Sequence, residues 1–535
     1  MLQALFSPEE HPVLPRTLAT WSTSSCHRLL GLLRAENAAE LPSSDRKLLN
    51  QMLLHLTDTD IPDSYHTPVF DDGSHLTLDL SVAGQATLTA YATGITPNSL
   101  TLTPVHPAWN DVCNGPEHAA LIREWSNWAA EPAHGERRAE ALRRVTECVV
   151  WGETELHLDN LRLSSLPYLL PPMVKELYVR KNRLRDLPAL PCTLTRFNVS
   201  FNHINNTRYL LFLPDTLTIL DISYNGMSGT LPHLPDSLTV LNARCNRLTA
   251  LPDLPAALNT LEVSANELTV LPELPAALVI LGADDNQVTE LSSLPPTLTE
   301  LYINRNQLTA LPALPDSLKR LDVYHNRLTA LPTLPDSLKE LWAGENLLTT
   351  LPTLPTTLIF LNVFNNRLAN LPELPAALTE LFVEINLLTS LPALPASLRI
   401  FGADCNQLTS LPDLPASLIK LNASKNQLTA LPDLPASLEE LDVNDNQLTA
   451  LPDLPASLKE LDVSRNLLTA LPDLPASLKE LDVSRNLLTA LPDLPASLKG
   501  LDVSRNLLTA LPDLPDGIRF VFFLNNPCSP VQLRF

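Results

Sequence analysis

The stretch LPDLPASLKELDVSRNLLTA occupies residues 451–470 and recurs unchanged at 471–490. A third copy at 491–510 differs only in Gly500, where its neighbours carry Glu460 and Glu480. Counting back in twenties from Asn486, an asparagine stands at every such position down to Asn246, and counting forward at Asn506 and Asn526. Before Asn246 the spacing slips slightly, through Asn225, Asn202, Asn182 and Asn160. The period amounts to about nineteen turns of one supersecondary unit, a leucine-rich repeat array.

One turn can be taken apart at LKELDVSRN, residues 478–486. Leu478, Leu481 and Val483 alternate with Glu480, Asp482, Ser484 and Arg485, the period-two pattern of a short strand with one buried face. Stacked turns then give a continuous parallel sheet whose outward side chains line a concave surface. Asn486 turns the chain, and its amide can satisfy backbone groups of adjacent turns that would otherwise be buried unpaired. The asparagine ladder is therefore structural. The return segment LPDLPASL carries two prolines per turn, which fix φ near the polyproline value and remove donors, so a return helix is disfavoured. The expected fold is a leucine-rich repeat solenoid of the α/β class, with a parallel concave sheet and an extended, polyproline-type convex side.

The chain of 535 residues is 45% hydrophobic, and 59 acidic residues outweigh 37 basic ones to give a net charge of −22. That balance argues against sequence-independent nucleic-acid binding, which needs Lys and Arg against phosphate, and no basic stripe runs through the repeats. The seven cysteines, at 26, 113, 148, 192, 245, 405 and 528, are scattered and show no CxxC or zinc-like spacing. Neither a disulfide framework nor a metal site is indicated. Glu9 and Glu10 interrupt the apolar start, so no Sec signal peptide is expected, and no stretch is long enough for a membrane helix.

Residues 1–25 lack periodicity and are expected to be a disordered export segment. Residues 26–115 are expected to form a small α+β domain. It includes the helical pattern Ser44–Leu56, a hairpin built from the alternations Leu76–Val82 and Ala86–Ala90, and a third strand at 99–105. LTDTDIPD at 56–63 faintly resembles a calcium loop, but it contains Pro62 and lacks the required glycine, so it is taken as a plain loop. Residues 116–152 are expected to form two helices that cap the repeats of 153–535. Leu121, Trp125 and Trp128 share one helical face, and Leu142, Val145 and Val149 share another. A solenoid end is apolar and has to be covered.

The segment WSNWAAEP…ERRAEALRRVTECVVWGETELHLDNLRLSSLP and the unit LPxLPxxLxxLxVxxNxLTx are similar to the helical cap and repeats of the IpaH-type, SspH/SlrP-type and YopM-like bacterial effectors. The hairpin region, YHTPVFDDGSHLTLDLSVAGQATLTAY, resembles the extra N-terminal domain of the SspH/SlrP branch. The resemblance implies a virulence protein exported by a type III system into the host cytoplasm, with the nucleus as a further destination, where the repeats bind a host protein. In the IpaH and SspH/SlrP members it also implies a ubiquitin-ligase domain with its catalytic cysteine in a Cys-x-Asp motif. None of the seven cysteines here has Asp two residues later, so ligase activity is not expected of this chain. The alternative is that the chain is the substrate-recognition portion of such a ligase.

No GxSxG, HExxH, GxxxxGK[ST] or GxGxxG motif is present, and neither a catalytic residue nor a cofactor is expected. The last repeats all present the same Asp/Ser/Arg set, whereas the middle ones differ. They place Tyr302, Asn304, Arg305, Tyr324, His325, Trp342, Glu345, Phe364, Phe382 and Glu384 at outward strand positions or just beyond. Trp342 is the only tryptophan of the repeats. Aromatics interleaved with charge have the composition of interaction hot spots, so these residues form the expected site for a host protein. Phe520, Phe522 and Phe523 at the C-terminal edge add an expectation of self-association there.

Overall fold

The computed structural model describes residues 64–66, 75–79, 86–92, 95–102, 116–131 and 134–527. The export segment, the helix over Ser44–Leu56 and the loop at 56–63 lie outside these residues. The chain divides into two compact units that meet at Leu278 and Val279.

In the first unit, strands at Ser64–His66, His75–Asp79, Ala86–Ala92 and Ile95–Leu102 make a four-stranded antiparallel sheet in chain order. Helices α1 (Pro116–Ala130) and α2 (Arg138–Trp151) follow. Leu121, Trp125 and Trp128 are buried, as their spacing predicts. The Trp125 indole donates to the Leu169 carbonyl at 2.8 Å and the Trp128 indole to Ser165 Oγ at 3.2 Å, tying α1 to the turns just after the first repeat strand. The Arg138 guanidinium lies 4.7 Å from the Trp128 ring centre. On α2 the expected face is shifted. Ala141, Val145, Cys148 and Val149 are buried while Leu142 is only half-buried, because the helix turns its small residues toward its neighbours.

Six repeat strands follow, from Glu155–His157 through Glu176–Tyr178, Arg196–Asn198, Ile219–Asp221 and Val240–Asn242 to Thr260–Glu262, with a separate parallel pair at Ser228–Thr230 and Arg247–Ala250. From Glu155 to Asn242 each pairs in parallel with the next, as Val240–Asn242 does with Thr260–Glu262. The long repeat between Asn202 and Asn225 accommodates a 3-10 turn at Thr207–Leu210, capped by the Asn206 side chain accepting from Arg208 N at 2.9 Å.

The second unit is thirteen three-residue parallel strands, from Ile280–Gly282 to Phe520–Phe522, in a constant twenty-residue register such as Glu340↔Phe360 and Trp342↔Asn362. The middle residue of each strand faces inward; Leu341, Leu361 and Leu381 are fully buried. No helix occurs between the strands of this unit among the described residues, in keeping with the paired prolines.

The asparagines hold the turns together. Asn346 Nδ2 donates to the carbonyls of Val323 (2.9 Å) and Ala343 (3.3 Å), while its Oδ1 accepts from Leu328 N (3.0 Å). Asn326, Asn366 and Asn386 repeat the pattern. The residue before each is left-handed, with φ near 51° at His325, Glu345 and Asn365. That conformation is unfavourable for a non-glycine residue. Here the residue's own N–H is bonded to the next turn, as from Glu345 N to the Phe364 carbonyl at 2.8 Å. In the first repeat the ladder position is the buried Leu161, not Asn160, which is the exposed left-handed residue before it. Ser464 and Ser484 also depart from the outward pattern. They are buried, and their N–H groups donate to Asp462 and Asp482.

A second ladder went unread in the sequence. Ser317, Ser337, Thr357 and Ser397 each donate their hydroxyl to the carbonyl nineteen residues earlier, at 2.6–2.8 Å, linking consecutive return segments.

Replacing Asn346 by alanine strands the buried Leu328 N–H, while the Val323 and Ala343 carbonyls keep their bonds from Asn326 and Asn366, at an expected cost of about 2 kcal/mol. A lowered urea midpoint checks this. Thr353→Ala, on an exposed return position, should shift it by less than about 0.5 kcal/mol.

Candidate protein-interaction face

All ten sequence-predicted residues fall in the second unit, on five adjacent strands from Glu300–Tyr302 to Glu380–Phe382 or in the turns after them. None of the side chains is fully buried; Arg305 and His325 are exposed and the other eight half-buried.

The structure groups them into three contact sets. The first runs across the sheet through Tyr302. Its hydroxyl donates to Glu300 (2.7 Å) and accepts from Arg320 Nη1 (2.9 Å), and Arg320 Nη2 donates to Glu340 (2.8 Å). Burial, then the Glu300 bond, pushes the Tyr302 hydroxyl pKa up; the Glu340 bond, then Tyr302, raises that of Arg320. Asn304 extends this edge, its Nδ2 donating to Asp322 at 2.9 Å and its N–H to Asp284 at 2.8 Å.

The second set joins Tyr324, His325, Glu345 and Phe364. The Phe364 ring lies over Gly344, whose missing side chain leaves the room: a β-carbon there would stand 2.6 Å from the ring. Phe364 thereby reaches Tyr324, two strands away, at 5.7 Å between ring centres. Glu345 binds His325 Nδ1 at 2.5 Å and the Tyr324 hydroxyl, and these bonds, Tyr324 first, hold its carboxyl below the usual range. Burial and the Glu345 bond push the Tyr324 hydroxyl to about 12. Arg305 stands apart at the turn, 3.9 Å from Asp285.

The third set is an aromatic row. Trp342 stacks on Phe360 at 4.1 Å, and Phe360 meets Phe382 at 5.6 Å. Phe360 was missed by the sequence reading, which weighed the later outward positions of each strand. The signal was present, since Phe360 occupies a position held by Glu300, Arg320, Glu340 and Glu380 in neighbouring strands.

Glu384 closes the row. Its carboxylate lies over Gly402, where any β-carbon would collide with it, and Oε2 is buried without a hydrogen-bond partner. Burial, with Asp404 adding repulsion, lifts its pKa to about 7. From Phe382 and Glu384 a groove of about 610 Å³ continues past Lys420, Asp462 and Asp482 to Phe522.

The chain is similar over most of its length to YopM from Yersinia enterocolitica WA-314. The two are 39% identical with a TM-score of 0.70, and the match covers 77% of this chain and 96% of that one. The chain belongs to the YopM family of leucine-rich repeat proteins. It is also 42% identical over 79 residues to the E3 ubiquitin-protein ligase ipaH9.8 of Shigella flexneri, and 40% identical over 80 residues to the E3 ubiquitin-protein ligase SspH1 of Salmonella typhimurium. Those alignments span only 14% and 11% of the two ligases. No family model matches the chain.

In this YopM-family chain, no cluster of three or more His, Cys, Asp or Glu is placed to hold a metal among the described residues. Nor is any described helix long and apolar enough to cross a membrane. The face offers stacked rings, guanidinium and carboxylate groups in fixed rows, a chemistry suited to holding a protein surface.

Glu384 gives the face a pH signature. Its folded pKa of about 7 exceeds the ordinary 4.5, so the folded state binds the proton more tightly than the unfolded chain. Stability is therefore expected to fall as pH rises from about 4.5 to 7, by at most on the order of 3 kcal/mol. Urea midpoints at pH 5 and pH 8 check the sign, and Glu384→Gln should remove most of the difference.

Proposed function

We propose that this YopM-family protein is a bacterial effector, delivered by a type III secretion system into the host cell. There it holds a host protein on the sheet face between Tyr302 and Glu384. The action is that of a scaffold, decoy or inhibitor in the host cytoplasm, with the nucleus as a further destination. The observation that carries the reading is the stacked row Trp342–Phe360–Phe382, half-buried and open to one side on three neighbouring strands. Rigid rings fixed in advance lose little entropy on binding, and the charged groups around them can set orientation. The carboxylates of the adjoining groove favour a partner that adds basic residues to an apolar anchor.

A second reading, that the chain is the substrate-recognition portion of a ubiquitin ligase, draws support from the identity to ipaH9.8 and SspH1. It assigns the same face the same task. Phe520 (45% exposed), Phe522 (54%) and Leu524 (69%) favour a further contact at the C-terminal edge, with a second copy or with the partner.

Alanine at Trp342, Phe360 or Phe382 should each weaken the host partner's hold by about 2 kcal/mol, roughly 30-fold in Kd. Affinity capture from host-cell lysate, followed by titration of the captured protein, checks this. Retention of the whole captured set by the triple variant would contradict the placement. In a ubiquitination reaction with host activating and conjugating enzymes, the chain alone is expected to build no ubiquitin chains.

A further inference from the structure

We infer that a second docking surface lies on the first unit, and that it takes an extended acidic peptide segment with an aromatic or apolar residue at its middle. It is separate from the face between Tyr302 and Glu384.

Phe201 and Tyr224 stack face to face, with ring centres 4.1 Å apart and planes 7° from parallel. They nevertheless remain 43% and 41% exposed, although Lys181 lies over the Phe201 ring and Cys245 bonds the Tyr224 hydroxyl. Both occupy the left-handed turn position, with φ of 55° and 51°. Bulky residues are uncommon there, and no other repeat puts a phenyl or phenol ring at it. The main chain sets the rings side by side: Lys181 N donates to the Ser200 carbonyl, Phe201 N to Ser223 and Tyr224 N to Arg244. Lys181, Phe201 and Tyr224 thus stand on consecutive turns. Lys181 Nζ lies 5.9 Å from the Phe201 ring centre.

Cations flank the pair. Two residues past Lys181 on the same turn is Arg183, and on the turn beyond Tyr224 is Arg247; all three cations are exposed. None of them makes an ion pair among the described residues. On a chain of net charge −22, cations without carboxylate partners at both ends of an open aromatic pair form a local inversion of charge. Its complement is a ligand with negative charge at its ends and a flat or apolar group between.

The dimensions select the ligand. Three turns at about 4.8 Å separate the ends of the surface, roughly 14 Å. An extended peptide covers that in about four residues. A residue seated on Phe201 and Tyr224 therefore has carboxylates two positions away within reach of Lys181 and Arg183 on one side and of Arg247 on the other. A nucleic-acid strand would bring a phosphate at every step against a strongly negative protein, which a short peptide with a few carboxylates avoids.

The test uses the full chain and a dye-labelled peptide with one central tryptophan flanked on each side by two acidic residues, followed by fluorescence anisotropy. Saturable binding tighter than about 100 µM at low salt is expected, weakening as salt rises. Phe201→Ala/Tyr224→Ala and, separately, Lys181→Glu/Arg183→Glu should each weaken it at least about tenfold. Trp342→Ala/Phe382→Ala should leave it unchanged, so loss of the host partner and loss of the peptide are distinguishable. The side chains of Lys181, Arg183, Phe201 and Tyr224 are exposed and those of Trp342 and Phe382 half-buried, and unchanged thermal unfolding of the variants shows that folding is intact. The inference is overturned if the Phe201/Tyr224 variant binds like the parent. It is equally overturned if no saturable binding occurs below about 1 mM, or if a lysine-flanked peptide or a single-stranded oligonucleotide binds more tightly than the acidic peptide.

Discussion

Everything on the repeat surface depends on the buried asparagine amide. A three-residue strand makes few ladder bonds, and the turn that follows would leave N–H and carbonyl groups of two adjacent turns unpaired in an apolar core. Asn346 and its equivalents satisfy both turns at once, bonding to residues 23 and three positions back and accepting from the one 18 back. Because those offsets are fixed, the register is fixed. A slip of one residue would leave every amide unmatched and turn the leucines outward.

A fixed register places corresponding side chains of successive turns one above another, and the chemistry of the face follows from that stacking. Where consecutive repeats carry the same acid, carboxylates face one another. Asp482 lies between Asp462 and Asp502, and burial, with those two neighbours adding repulsion, raises its pKa. Where they carry rings, the rings stack, as at Trp342 and Phe360 or at Phe201 and Tyr224. Glycine alters the rule locally. Gly344 and Gly402 leave spaces into which Phe364 and Glu384 lie; Phe364 thereby reaches Tyr324 two strands away, while Glu384 Oε2 is buried without a partner.

The fold was legible because its period is written in leucine, asparagine and proline, residues whose positions are dictated by burial and backbone satisfaction. Tyr302, Trp342, Phe364 and Phe382 were legible as departures from the consensus. What the sequence hid were contacts made through a neighbouring turn. Phe360 acquires its meaning only between Trp342 and Phe382, and Phe364 meets Tyr324 only because Gly344 intervenes. The assignment of Asn160 to the ladder failed for a related reason. The period identifies a spacing, but the left-handed turn decides which residue of a pair points inward. On α2, helical spacing alone could not tell that Ala141 and Cys148 would lie inside and Leu142 at the margin.

The central claim is that divergent repeats on this common frame present a partner-binding face. Its most direct measurement is site-specific photo-crosslinking in host-cell extract. A photoreactive phenylalanine analogue would replace Asn362, which lies between Trp342 and Phe382 in the sheet register, and in a parallel sample Thr353, exposed on a return segment. A discrete adduct from position 362 and none from position 353 is the result expected. Adducts of the same size and yield from both positions, or from 353 alone, would contradict the account.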